Sequence, residues 1–142
     1  MSDIKIPPGR ITPWHQTNWD WRAACNFIGG GSGTGLLFFA TVASASVDAY
    51  RIMALIALAF IGAGLTCVWL EIGRPLRAIN VFFHPQTSWM TREGIVAVPL
   101  FLTALAAVWM GGGVFVGMAA LLGVGFLYCQ GRILQAAKGI PA

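Results

Sequence analysis

Ile52–Leu70 reads IMALIALAFIGAGLTCVWL, an uncharged apolar run, and Glu71-Ile72-Gly73-Arg74-Pro75-Leu76-Arg77-Ala78-Ile79-Asn80 follows it at once. A helical crossing of a bilayer takes about 17–25 mostly apolar residues. The run therefore predicts a membrane-spanning helix, and the segment after it predicts a polar hinge. Three further apolar stretches flank this pair. Backbone groups surrounded by hydrocarbon must be satisfied internally, so each stretch is expected to be a helix and not open sheet. The expected fold is an all-α membrane protein with a single bundle of four transmembrane helices, at about 23–45, 52–71, 93–110 and 114–131. Residues 1–21 form an interfacial N-terminal segment, and residues 72–92 form the hinge.

Composition supports the same solvent. Hydrophobic residues make up 57% of the 142 positions and charged residues 10%, whereas a soluble domain carries about a quarter charged residues. The mean hydropathy is +0.73. The first apolar stretch follows a polar lead containing Asp3, Lys5, Arg10 and Asp20. It lacks the short apolar core and cleavage pattern of a signal peptide, so it is expected to be retained.

The net charge of +4 comes from residues scattered between apolar runs. They form no continuous basic stripe, which argues against nucleic acid as a partner. Their sidedness is more telling. Lys5, Arg10 and Arg22 precede the first helix, Arg74, Arg77 and Arg92 lie between the second and third, and Arg132 and Lys138 follow the fourth. Arg51 alone lies on the other side. The positive-inside rule then predicts a multi-pass protein of the cytoplasmic membrane, with both termini and the hinge facing the cytoplasm.

Several apparent motifs lose their functional reading. Gly29-Gly30-Gly31-Ser32-Gly33-Thr34-Gly35 resembles a nucleotide loop only in composition. It has no Gly-Lys-Ser/Thr ending and no preceding strand. Inside an apolar helix it gives two overlapping small-residue registers, Gly29/Gly33 and Gly31/Gly35, suited to close packing against a helix or a flat ligand. Cys25, Cys67 and Cys129 lack a paired spacing and read as small packing residues. The only histidines, His15 and His84, fall in interfacial segments. Neither projects from a span as a haem ligand would, so neither haem nor a metal is expected on this chain.

The acidic residues at the hinge carry more weight. Glu71 ends the second predicted helix and Glu93 opens the third. A carboxylate at the edge of hydrocarbon is costly unless it is paired, and such residues are functional candidates. Proton exchange and a structural ion pair with Arg22, Arg74, Arg77 or Arg92 both remain open for Glu71. Glu93 suits the positive end of a helix N-terminus, a structural role. Trp14, Trp19, Trp21, Trp69 and Trp89 crowd one side, either as an interfacial aromatic belt or as the rim of a partner surface.

Trp19-Asp20-Trp21 followed by Asn26 and Gly29-Gly30, the hinge Gly73 to Asn80, and the opening Ser88-Trp89-Met90-Thr91-Arg92-Glu93 together resemble the NrfD/DmsC family of membrane anchor subunits. Arg132-Ile133-Leu134 and Gly139-Ile140-Pro141 extend the resemblance over nearly the whole chain. The resemblance implies an integral subunit that exchanges electrons with quinone or quinol. Its expected partners are an iron–sulfur subunit and a molybdenum or tungsten catalytic subunit. Family members have eight helices in two bundles, and these 142 residues correspond to the first bundle. Some members carry a quinol-binding histidine at the position of Glu71, which makes Glu71 the leading proton-handling candidate. Arg74 and Arg77 are expected to tune its charge or meet the partner. Asn26, His15, Trp19 and Glu93 complete the expected quinone surroundings. The competing classes are a small proton-coupled transporter, which would want a carboxylate central to a span, and a purely structural anchor.

Overall fold

The computed structural model describes residues 20–71, 83, 85–86 and 88–137; of Glu71 it describes the helical backbone. Four helices account for nearly all of them: α1 (Trp21–Ala43), α2 (Val47–Glu71), α3 (Trp89–Met110) and α4 (Gly113–Ala136). Three are long and apolar enough to cross a membrane, namely Val47–Leu70, Trp89–Met110 and Gly113–Ala136. Helix α1 is of similar length but is interrupted by five glycines, Asn26, Ser32 and Thr34.

Local chemistry sets the ends. The Asp20 side chain accepts a bond from the Arg22 amide at 2.8 Å and starts α1, because the first amides of a helix have no partner within it. Ser88 caps α3 in the same manner by accepting from the Thr91 amide. Helix α3 therefore begins at Trp89, and Glu93 sits a full turn inside it instead of opening it. The chain reverses between α3 and α4 through Gly111 at φ 70° and Gly112 at φ 94°, a left-handed stretch that residues with a Cβ rarely adopt.

The helices run up-down-up-down, with α1 on α2 and α3 on α4 as the most extensive contacts. Helix α1 also meets α4, whereas α2 and α3 touch more sparingly. The interior is built from small residues, among them Ala40, Ala54, Ala57, Ala97, Ala104, Ala107 and Ala119, around Leu37, Ile61, Leu100 and Phe126. Large apolar side chains such as Phe39, Ile52, Leu102, Trp109 and Leu121 point outward. Small inside and large apolar outside is the arrangement a lipid solvent rewards, since association then depends on close backbone approach.

The α1–α2 contact shows that approach directly. A Cβ placed on Gly29 would lie 2.7 Å from the Phe60 carbonyl oxygen, and one on Gly33 would lie 2.6 Å from the Ala57 carbonyl oxygen. From the opposite side, a Cβ on Gly64 would meet the Asn26 backbone at 3.1 Å. Of the two glycine registers in α1, only Gly29/Gly33 is used against α2; Gly31 and Gly35 have no neighbour within 4 Å of a would-be Cβ. Gly33→Ala is expected to destabilise the bundle by about 1–3 kcal/mol through overpacking. Gly31→Ala should be neutral or stabilising by up to ~1 kcal/mol. Thermal unfolding of both variants in the same detergent checks the contrast.

Candidate functional site

Three polar side chains from three helices converge inside the bundle. Asn26 of α1, Glu93 of α3 and Gln130 of α4 are respectively 3%, 3% and 2% exposed. The Asn26 Nδ2 donates to Glu93 Oε1 at 3.3 Å, and the Gln130 Nε2 donates to the same oxygen at 3.0 Å. Gln130 Nε2 also reaches the Asn26 backbone carbonyl at 3.1 Å. Thr91, two residues before Glu93 on α3, is also buried.

Helical periodicity explains the convergence. Glu93 lies four residues after the start of α3, and with 1.5 Å of rise per residue that is about 6 Å inside the helix end. Its neighbours on the same face, Ala97 and Leu100, belong to the core. On α4, Gln130 shares its face with Phe126 and Ile133, both buried. Gly30 provides the space for the Gln130 amide, since a Cβ there would overlap the amide group. One face of α1 thus holds the backbone of α2 at Gly29 and Gly33, while Gly30 and Asn26 admit the polar group of α4.

The bonding capacity of the cluster is unbalanced. Glu93 Oε1 receives both amide donors, and the buried Asn26 Oδ1 has no hydrogen-bond partner among the described residues. Among the described residues the two ion pairs are Arg22–Asp20 and Arg51–Asp48, neither of which involves Glu93. A buried carboxyl group with only neutral partners is an expensive arrangement, and an unsatisfied acceptor beside it adds to the cost. The site is therefore rich in acceptors and short of donors. It is chemically suited to a proton or to a ligand that donates hydrogen bonds.

Around the cluster, the polar end of the bundle is laced by arginines. Arg22 Nη1 donates to the Leu70 carbonyl at 3.2 Å and ties the start of α1 to the end of α2. That places the backbone of Glu71 at the same end as Asn26 and Glu93. Arg92 Nε and Nη2 donate to the Pro85 and Gln86 carbonyls and fasten the segment before α3.

Of the residues expected from sequence to form a site, Asn26 and Glu93 are brought together. His15, Trp19, Arg74, Arg77 and the side chain of Glu71 lie outside the described residues. Glu93 differs from its expected part, because its carboxyl group bonds to side chains of α1 and α4 while Ser88 serves the helix end. Gln130 was not singled out. Its signal was available: it is the only amide side chain in the apolar stretch of α4 up to that point, on the same face as Phe126 and Ile133. In comparisons with known proteins, no family model, curated protein or solved structure matches the chain.

Gln130→Leu removes a donor while leaving the Glu93 carboxyl group buried. A cost of about 1–3 kcal/mol in unfolding free energy is expected. In a double-mutant cycle with Glu93→Gln, the two effects should be non-additive by at least ~0.5 kcal/mol. Additive effects would show that the bond between them contributes little.

Proposed function

We propose that this chain is the membrane anchor and quinone-reactive subunit of a multisubunit oxidoreductase, passing electrons between the quinone pool and an iron–sulfur subunit of a molybdenum or tungsten enzyme. The observation that carries the proposal is the acceptor-rich cluster of Asn26, Glu93 and Gln130 at the polar end of an apolar bundle. The sequence resemblance of the hinge and the α3 opening to NrfD/DmsC anchor subunits supports the same assignment. In this reading α1 crosses the bilayer beside the other three helices. Its low hydropathy is offset by the burial of its glycine face against α2 and α4. The distribution of Lys and Arg supports a cytoplasmic location for both termini and the hinge.

The donor-poor cluster suits the reduced form of the carrier. A quinol supplies two hydroxyl donors, two protons and two electrons. The free acceptor Asn26 Oδ1 orients one hydroxyl, and the Glu93 carboxyl group accepts its proton. Gln130 holds Glu93 in position through Oε1, leaving Oε2 for that exchange. The Glu71 carboxylate, at the end of α2, takes the proton of the second hydroxyl, and both carboxylates return their protons to the aqueous side. The two electrons would pass to an iron–sulfur partner, for which Arg74 and Arg77 of the hinge supply positive charge.

Positioned proton transfer contributes about 10²–10⁴-fold in rate. Glu93→Gln and Asn26→Leu are expected to lower quinol turnover by about 10²-fold, while the complex still assembles. Glu71→Gln should impair turnover as well. Turnover at the wild-type rate in all three variants would remove the cluster and the hinge carboxylate from the mechanism.

A second reading rests on the same buried carboxyl group. Glu93 inside a four-helix membrane bundle also fits a small proton-coupled transporter, in which substrate and proton compete for one carboxylate. The purified assembly separates the two. Co-purification with an iron–sulfur protein is expected for the anchor, whereas a self-contained oligomer that moves substrate against a proton gradient would establish the transporter.

A further inference from the structure

At the rim where α3 begins and α4 ends, two guanidinium groups share one indole. The Arg92 Cζ lies 4.1 Å and the Arg132 Cζ 4.8 Å from the Trp89 ring centroid. Tyr128 meets the same ring edge-on at 5.9 Å and helps fix its orientation. The two cations are thus at most about 9 Å apart. Two like charges at that distance repel, and the ring quadrupole offsets only part of the repulsion.

Neither guanidinium pairs with a carboxylate among the described residues, where the ion pairs are Arg22–Asp20 and Arg51–Asp48. Arg92 spends Nε and Nη2 on the Pro85 and Gln86 carbonyls. Arg132 spends Nη1 on Gln135 Oε1 at 2.8 Å, and its Nε is buried without an acceptor. One terminal nitrogen of each group is left over. The nearest acid in sequence, Glu93, is buried and bonded to Asn26 and Gln130. Among the described residues the pair therefore has no anionic partner, and a phosphate group would provide one with several oxygens through charge-assisted bonds to both arginines.

The surroundings select the source of that phosphate. Beside the pair, Met90, Leu127 and Tyr128 point outward, and Val124 and Leu121 continue the outward face of α4 toward the bundle middle. An apolar track leading away from a double-arginine head is the shape of a phospholipid, with its headgroup at the rim and an acyl chain along α4. Juxtamembrane arginines attract anionic lipids in general, and here two are held in fixed positions by Trp89.

We propose that Trp89, Arg92 and Arg132 form a specific site for the phosphate headgroup of an anionic phospholipid whose acyl chain lies on the Leu121–Tyr128 face of α4. This assignment is independent of the redox reading above.

The test uses the complete membrane assembly, reconstituted in nanodiscs containing equal amounts of phosphatidylglycerol and phosphatidylcholine, released into detergent and weighed by native mass spectrometry. Wild type is expected to retain phosphatidylglycerol in preference. The double variant Arg92→Gln/Arg132→Gln should retain at least roughly fivefold less, in line with the loss of surface arginine–lipid attraction. Arg22→Gln, which removes a charge from the same end of the bundle, should leave retention unchanged and separates a site from a general charge effect. Millimolar inorganic phosphate should not displace the lipid, because it lacks the chain. Equal retention of the two lipids by wild type, equal loss in Arg22→Gln, or displacement by inorganic phosphate would each overturn the proposal. If the double variant fails to assemble, the single variants Arg92→Lys and Arg132→Lys decide it: they keep the charge but lose the flat stacking on Trp89 that aims the remaining nitrogen of each guanidinium, so undiminished retention in both overturns the site.

Discussion

Helix α1 lies against α2 so closely that backbone meets backbone, and the remainder of the bundle is arranged around that contact. Gly29 and Gly33 face the Phe60 and Ala57 carbonyls, and Gly64 faces the Asn26 backbone. In a lipid solvent there is little hydrophobic gain from joining two apolar helices, so dispersion over a close-fitting surface must hold them together. That demand explains why α1 is rich in glycine and poorer in large apolar residues than its three partners. It also fixes the rotation of α1. With Gly29 and Gly33 turned to α2, Asn26, Gly30 and Thr34 are carried toward α4.

The buried polar cluster follows from that rotation. Gly30 leaves room for Gln130, Gln130 reaches both the Asn26 backbone and Glu93, and Asn26 bonds Glu93 from the other side. A cluster of this kind is a liability to stability if any acceptor goes unserved, and Asn26 Oδ1 does. Proteins retain such an imbalance where a ligand or a proton completes the set. The cluster and the arginine-laced rim near it divide the polar end into two chemistries: a buried, acceptor-rich interior and a cationic edge. The first suits proton exchange, and the second suits phosphate.

Much of the fold was legible in the one-dimensional pattern. A helix is present at each of the four expected places, with ends shifted by a few residues, and three of them are long and apolar enough to cross a membrane. The largest shifts are the start of α2 at Val47 and the end of α4 at Ala136, and Ser88 starts α3 at Trp89, four residues earlier than the hydrophobic pattern indicated. The use of the glycine run for packing was also readable, but not which of its two registers is engaged. Hydropathy gives no direction around a helix axis when nearly every residue is apolar. The site was legible only in fragments for the same reason: Asn26 and Glu93 stood out as polar residues near span ends, while Gln130 was hidden at the edge of an apolar run.

By itself, then, the sequence determined a helical chain for an apolar solvent, with its charges gathered at the helix ends, because length, hydropathy and the near absence of charge leave no other way to satisfy the backbone. Tertiary structure alone decided that residues 26, 93 and 130 meet. That meeting depends on the rotation of three helices about their axes, and the rotation is set by where glycine permits two backbones to touch. It also turned Glu93 from a helix-end charge into an interior carboxyl group, since one extra turn of α3 moves its side chain from the rim to the core.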